Sequence, residues 1–380
     1  MNVDKLRKDF TALDKGVIYF DNACMTIRPK QVVDKINEYY NEYPACGERS
    51  YHKWSRKTAE EFENARILIK KFINCKKDGE VVFTKNATEA INLVANSFKF
   101  NNMAITDREH NSNLLPWYKF KHLVVESNKD ETFDMNKFQD VIKKVDLISF
   151  VFTSNLDGYT LPVKEIIKVA HENDVIVMLD GAQAVPHQKV DVSKLDVDLM
   201  AFSGHKMLGP SGTGCLYGKR DILDKMKTFI IGGDTVNNTT YGKFDLKEVP
   251  YKFEAGLQNY AGFIGLGAAV KYLTPIIDDI EDHEKKLWKY LRDNLDVEMV
   301  GVDKPSGIFS FNIPKMTSHE IAQMLDSSAN IAIRSGMHCV HSWFNSRKLT
   351  GSARASFYLY NTMEEAEKFV EEVKKIIDLA

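Results

Sequence analysis

Between Val17 and Gly218 short apolar runs alternate with amphipathic stretches. Glu80–Thr84, Met103–Thr106, His122–Ser127, Leu147–Ser154, Val175–Asp180, Leu199–Ser203 and Gly214–Gly218 are rich in Val, Ile, Leu, Met and Phe and too short to be helices. Between them, Ala87–Phe98 and Val163–Asn173 carry apolar residues at helical spacing. This alternation predicts crossover units and a mainly parallel, doubly wound sheet covered on both faces, an α/β fold. After Leu273 and Pro275 the pattern changes. A charged amphipathic stretch, Ile276–Asn294, leads into separated strands at Gly307–Ile313 and Ser352–Tyr360, with helices at His319–Ser328 and Met363–Leu379. The expected division is a large domain over 16–275 and a smaller C-terminal α+β domain over 276–380. The amphipathic start, Val3–Leu13 within segment 1–15, is expected to precede the first large-domain strand and to pack on the smaller domain.

With 380 residues, 44% of them hydrophobic, the chain can bury a large core. Its net charge of −2 gives no basic field, so nucleic acid is not an expected ligand. No apolar run is long enough to span a bilayer, and Met1–Lys8 has no apolar leader core, so a soluble cytoplasmic protein without membrane partners is expected. Five widely spaced cysteines with no Cys-x-x-Cys pair argue against a disulfide framework or a zinc site, and no metal is expected.

Two strand ends carry the chemistry. Asp180-Gly181-Ala182-Gln183 closes one buried run and Ser203-Gly204-His205-Lys206 closes the next. Ligands of parallel sheets bind at the carboxyl edge, so a carboxylate and an amine are expected around one crevice, and the lysine suggests a Schiff base. Ser203-x-x-Lys206 lacks the partner motifs of a penicillin-recognising hydrolase. Gly262-x-x-Gly265-x-Gly267 sits in a helical pattern, where close helix packing is the better reading. Ala87-Thr88 opens a helix whose free amides and dipole favour an anion.

Further motifs extend the pattern almost end to end: Phe20-Asp21-Asn22-Ala23, Asn86-Ala87-Thr88-Glu89-Ala90-Ile91-Asn92, Glu109-His110-Asn111-Ser112-Asn113, Phe253-Glu254-Ala255-Gly256, Arg334-Ser335-Gly336-Met337-His338-Cys339 and Arg354-Ala355-Ser356-Phe357. Together they resemble the class V aminotransferase family of fold-type I enzymes dependent on pyridoxal 5′-phosphate, on the branch of the group II, SufS-like cysteine desulfurases. The resemblance implies that Lys206 holds the cofactor and carries the Cα proton, a task suited to an amine whose pKa falls on burial. It implies that Asp180 pairs with the pyridine nitrogen, Gln183 with the phenolic oxygen, and that His110 stacks on the ring. Ala87, Thr88, Ser203 and His205 become phosphate ligands, Asn155 a contact to substrate or cofactor, and Arg354 the carboxylate fork, with Arg334 also on the substrate. L-cysteine as substrate, a homodimer, and a sulfur-acceptor protein or scaffold follow from the same resemblance.

Cys339 decides the reaction. Next to His338 and near Arg334 and His341, it lies among groups whose positive charge favours a thiolate nucleophile. By resemblance it takes the sulfur of L-cysteine as a persulfide, releasing L-alanine, for iron–sulfur cluster or other sulfur-cofactor assembly. The short spacing from Cys339 to Arg354 points to group II. Three positions depart from the family pattern: Leu257 where many relatives have Thr, Met337 where a histidine is common, and Cys24 where alanine is usual. Cys24 reads as a packed thiol, with a second sulfur-handling thiol as the alternative; Cys46 allows the same pair of readings, while Cys75 and Cys215 look structural. Arg49 and His52 are candidates for an active-site loop before a helix at Ser55–Asn74. A selenocysteine lyase, an aminotransferase or epimerase with an incidental Cys339, and a non-catalytic scaffold remain as alternatives.

Overall fold

The protein is described from a computed structural model covering residues 1–47 and 49–380. Its central sheet has seven strands in the order Gly79–Thr84, Gly214–Lys219, Leu199–Ser203, Ile176–Asp180, Leu147–Val151, Asn102–Thr106, Lys121–Val125. All run parallel except Gly214–Lys219, which is antiparallel to both neighbours. The apolar runs look continuous because alternate side chains serve two cores. Val177, Leu179, Met200 and Phe202 enter one, while Met178, Leu199 and Ala201 enter the other. A strand buried on both faces has no polar side to interrupt its pattern.

Two sequence expectations shift at their ends. The run from Leu147 leaves the ladder after Val151, because Ser154 and Asn155 turn out of the sheet, with Gly158 N donating to Ser154 O. Ser352–Tyr360 is strand only to Ser356. Beyond it Tyr358 and Tyr360 are fully buried polar anchors: Tyr358 Oη donates to Pro186 O, and Tyr360 Oη pairs with Asn22.

A second sheet of four antiparallel strands, Glu298–Met299, Ile308–Asn312, Ser352–Ser356 and Arg334–Gly336, packs under helices Ile277–Asn294, Ser318–Ala329 and Met363–Leu379. Capping boxes at Thr317/Glu320 and Thr362/Glu365 fix the starts of the last two helices, each cap stabilising by about 1 kcal/mol.

At the N-terminus the structure shows a pairing that the sequence pattern does not. Ile18–Tyr19 does not join the seven-stranded sheet; it pairs in parallel with Ile331–Ala332 on the C-terminal side of the chain. The segment before it bridges both halves. Arg7 binds Glu365 and Tyr360 O, while Phe10 packs between Tyr272 and Tyr360. The glycines of helix Tyr260–Leu273 are there for packing, since a Cβ on Gly265 would meet Ile36 and one on Gly267 would meet Ala65, each at 2.8 Å. Among the described residues no single helix is long and apolar enough to cross a membrane.

Candidate active site

Asp180 and Ala201 are register partners on adjacent parallel strands, so the polar residues that follow each strand emerge at one edge. There a cavity of about 230 Å³ opens, and Asp180, Gln183, Ser203, His205, Lys206 and Arg354 all line it. Asp180 is buried and, among the described residues, its carboxylate has one protein hydrogen bond, from Ala182 N at 3.0 Å. Burial raises its pKa, partly countered by that amide and by the charge of Lys206. Burial likewise brings Lys206 down to about 8, against the pull of Asp180. An amine so shifted has a far larger neutral fraction near neutral pH than an ordinary lysine, and that fraction can act as a nucleophile or base.

Across the cavity stands the N-terminus of helix Ala87–Ser97. Gly214 allows this approach, since any Cβ there would lie 2.5 Å from Asn86 Cα. Asn86 Oδ1 caps Glu89 N, and Ser203 Oγ accepts from Ala87 N at 2.9 Å. Among the described residues the Thr88 amide has no acceptor. Thr88 Oγ1 and Ser112 Oγ share a hydrogen bond of 2.7 Å at the open side. His205 is held at about 4 by burial and the charges of Lys206 and Arg28, so it is a neutral donor. The free Thr88 amide, the hydroxyls of Thr88 and Ser203 and a neutral imidazole suit a phosphate. With the buried carboxylate and amine, this donor set fits a phosphorylated pyridine aldehyde. His110 lines the same cavity; its Nδ1 accepts from Ser112 N at 3.0 Å, and burial together with Lys206 and two arginines holds it at about 3.

Three expected site residues line the cavity, and the structure shows which of their polar atoms are already committed to the protein. Gln183 spends Nε2 on Ala23 O at 2.7 Å and leaves Oε1 buried without a partner. Only the second hydrogen of Nε2 can then reach an acceptor such as a phenolic oxygen. Asn155 donates one Nδ2 hydrogen to His338 O at 2.8 Å, which leaves Oδ1 buried without a partner for a donor and the second Nδ2 hydrogen for a substrate or cofactor oxygen. Arg354 gives Nη1 to Asn155 O at 2.7 Å, holds Asp21 only loosely through Nη2 at 3.5 Å, and has Nε buried and unpaired. Nε and Nη2 are adjacent prongs of the guanidinium, the arrangement that takes a carboxylate in two parallel bonds. Burial lowers Arg354 to about 10, which Asp21 partly offsets.

Cys339 is half-buried beside the cavity wall formed by Arg334 and His338. Arg334 Nη2 lies 3.8 Å from Cys339 Sγ and Nη1 lies 2.9 Å from Cys24 Sγ. The expected cationic neighbourhood is narrower than the sequence suggested. His338 is buried against Ser352 Oγ at 2.8 Å and driven to about 2, so it brings no positive charge; His341 pairs with Asn111. Arg334 is the cation that touches the thiol.

Arg49 and His52 are not brought to the cavity by this chain. Arg49 pairs with Asp234, and His52 Nδ1 caps helix Lys53–Phe72 through Ser55 N. Leu257 is exposed on the surface beside Phe229 and Ile230. The sequence reading passed over Asp21 and Ser112. Asp21 steadies Arg354, and Ser112 joins Thr88 to His110; both lie within quoted motifs, but a single sequence gives no sign of which neighbour each would meet.

The family model for class V aminotransferases matches residues 18–369. A probable cysteine desulfurase of Halalkalibacterium halodurans is 36% identical over 398 residues, covering 99% of this chain and 98% of the relative. A cysteine desulfurase of Haloferax volcanii is 35% identical over 411 residues, with 98% and 96% covered. Among solved structures, the apo cysteine desulfurase of Thermococcus onnurineus superposes with a TM-score of 0.96 at 35% identity, covering 100% of this chain and 99% of the other. The cysteine desulfurase CsdA of Escherichia coli, solved with an S-sulfonic acid, gives a TM-score of 0.93 at 28% identity over the same shares.

Proposed function

The chain belongs to the class V aminotransferase family, and from that premise we propose that it is a pyridoxal-phosphate-dependent cysteine desulfurase, converting L-cysteine to L-alanine and an enzyme persulfide on Cys339. The observation that carries this reading is the contact of the Cys339 thiol with the guanidinium of Arg334, a residue that lines the cavity together with Lys206 and Arg354.

Asp180, Gln183, His110, Lys206, Thr88, Ala87, Ser203 and His205 would hold the cofactor, which when bound supplies an electron sink for charge developing at the substrate Cα. Every other task falls to the chain. Arg354 takes the substrate carboxylate on Nε and Nη2 and so fixes which bonds of L-cysteine face the catalytic groups. Lys206 Nζ, close to neutrality, removes the Cα proton and returns a proton as alanine forms. Asp180 keeps its charge against the ring nitrogen, which holds that nitrogen protonated. Cys339 Sγ attacks the substrate sulfur; the S–S bond forms as the C–S bond breaks, and Arg334 donates to the sulfur bearing the charge. L-alanine leaves and the sulfane sulfur stays on the enzyme.

The short spacing between Cys339 and Arg354, with Cys339 next to the cavity-lining His338, supports a group II assignment and delivery of sulfur to an acceptor protein or scaffold for iron–sulfur cluster or related assembly. A homodimer is supported by the neighbouring exposed apolar residues Phe229, Ile230 and Leu257, an apolar patch that a partner copy would cover. Incubation with L-cysteine, followed by alanine assay and peptide mass spectrometry, tests the reading. Persulfide on the Cys339 peptide and its loss in Cys339→Ser are expected; equal sulfur release by both proteins overturns it.

A further inference from the structure

Five cysteines divide into two kinds. Cys215 lies inside the main hydrophobic core and Cys46 and Cys75 pack against it, whereas Cys24 and Cys339 belong to none of the apolar clusters among the described residues. Cys24 instead lines the catalytic cavity, with its sulfur on one terminal nitrogen of Arg334 while Cys339 faces the other. Its position is fixed from several sides. Cys24 N donates to Asp21 O, Ala23 is held by Ser356 Oγ and Gln183, and Thr26 N donates to His205 O. A thiol kept only for packing is buried among carbon, as Cys215 is. Cys24 lines the catalytic cavity and contacts the same guanidinium as the nucleophile.

We propose that Cys24 is a second sulfur-carrying thiol, accepting the sulfane sulfur from the Cys339 persulfide. The proposal rests on the desulfurase reading. The Cys24 thiolate attacks the terminal sulfur of the persulfide; a new S–S bond to Cys24 forms as the bond to Cys339 Sγ breaks, and Cys339 departs as thiolate. Sulfane sulfur moves between two thiols, so no oxidant or reductant is consumed, and the proton released by Cys24 goes to solvent. A persulfide carries the terminal sulfur about 2.05 Å beyond Cys339 Sγ, and the guanidinium that Cys339 faces is the one that Cys24 also contacts. The two prongs of Arg334 then hold the charge at the start and the end of the exchange. Once relieved of its sulfur, Cys339 is free to react with another L-cysteine before any acceptor arrives.

The test uses the full-length holoenzyme with excess L-cysteine, no reductant and no acceptor, quenched with an alkylating agent. Wild type is expected to carry persulfide on both the Cys24 and the Cys339 peptides, and to give an alanine burst about twice that of Cys24→Ala and Cys24→Ser. Cys339→Ser is expected to carry persulfide on neither. Persulfide confined to Cys339, with equal bursts in wild type and both Cys24 variants, overturns the relay while leaving the desulfurase reading intact. A Cys24–Cys339 disulfide with free sulfide also overturns it, because attack has then gone to the inner sulfur. Absence of alanine from wild type defeats the desulfurase reading and the relay together.

Discussion

Asn155 Nδ2 donates to the backbone carbonyl of His338 at 2.8 Å, tying the turn after a large-sheet strand to the loop that carries Cys339. From the other side Asn111 N donates to Cys339 O at 2.7 Å. His338 and Cys339 both need holding, because they adopt positive φ angles of 48° and 61°, which cost a non-glycine residue about 1 kcal/mol or more each. Asn155→Ala removes one tie, about 1 kcal/mol of buried hydrogen bond, and lets the loop relax. Persulfide formation is expected to slow about tenfold, with cofactor absorbance retained. Single-turnover alanine release measures this, and a wild-type rate would show that the Asn111 contact suffices.

Capture of the cofactor by cofactor-free enzyme depends on a neutral Lys206 amine. Its pKa is brought by burial to about 8, so the ammonium form prevails below that pH and the nucleophilic form above it. The capture rate is therefore expected to rise with pH and level off above about 8. Stopped-flow absorbance across pH 6 to ~10 checks this, since an unshifted lysine near 10.4 would give a rate still climbing at the top of the range.

Arg354→Lys keeps a cation but loses the fork. With Nη1 already committed to Asn155 O, the substrate depends on Nε and Nη2, and an ammonium cannot replace two parallel donors. The KM for L-cysteine is expected to rise about 30- to 100-fold, corresponding to ~2 to 3 kcal/mol, with a smaller fall in kcat. Steady-state kinetics separates the two parameters; equal KM values would place the carboxylate elsewhere.

Where structure depends on local pattern, it was legible in the sequence. Alternating apolar runs marked the strands of the large sheet, and the strand-end polar groups met because Asp180 and Lys206 follow neighbouring parallel strands. What the pattern could not contain was pairing between distant segments. Nothing in Ile18–Tyr19 states that it will pair with Ile331–Ala332 more than 300 residues away. The same holds for polarity at the site. Gln183 and Asn155 were legible as site residues, but which of their amide atoms stays free depends on Ala23 O and His338 O. His338 was misjudged for a related reason, since a histidine beside a reactive cysteine looks cationic until its burial is known.

Leu257 is 68% exposed beside Phe229 and Ile230, an arrangement that costs a lone chain solubility unless a partner covers it. Wild type is expected to sediment as a dimer. Leu257→Asp places a carboxylate in that contact and is expected to weaken association at least tenfold, as each imperfectly paired buried charge costs several kcal/mol. Sedimentation over a dilution series reports the shift, and an unchanged profile would locate the dimer contact on another face.

Asp180→Asn separates the chemistry from the fold. Asparagine has the same shape and can still accept from Ala182 N, so the strand end keeps its hydrogen bond. It also removes a carboxylate whose pKa is raised by burial. A group with a raised folded pKa contributes stability that is present below its unfolded pKa, near 3.8, and is lost as pH rises through the folded value. At pH 8 the cofactor-free variant is therefore expected to melt no lower than wild type, and the comparison should turn against it as pH falls toward 4. Catalysis follows the opposite course. A neutral amide cannot hold the ring nitrogen protonated, and removal of the Cα proton loses the electrostatic support on which it depends. The kcat is expected to fall about 10²- to 10³-fold, the scale seen when one preorganised charge-stabilising group is lost. Thermal melts of the cofactor-free proteins and alanine assays of the loaded ones give both halves, and a variant that melts normally yet turns over at the wild-type rate would remove Asp180 from the electronic role.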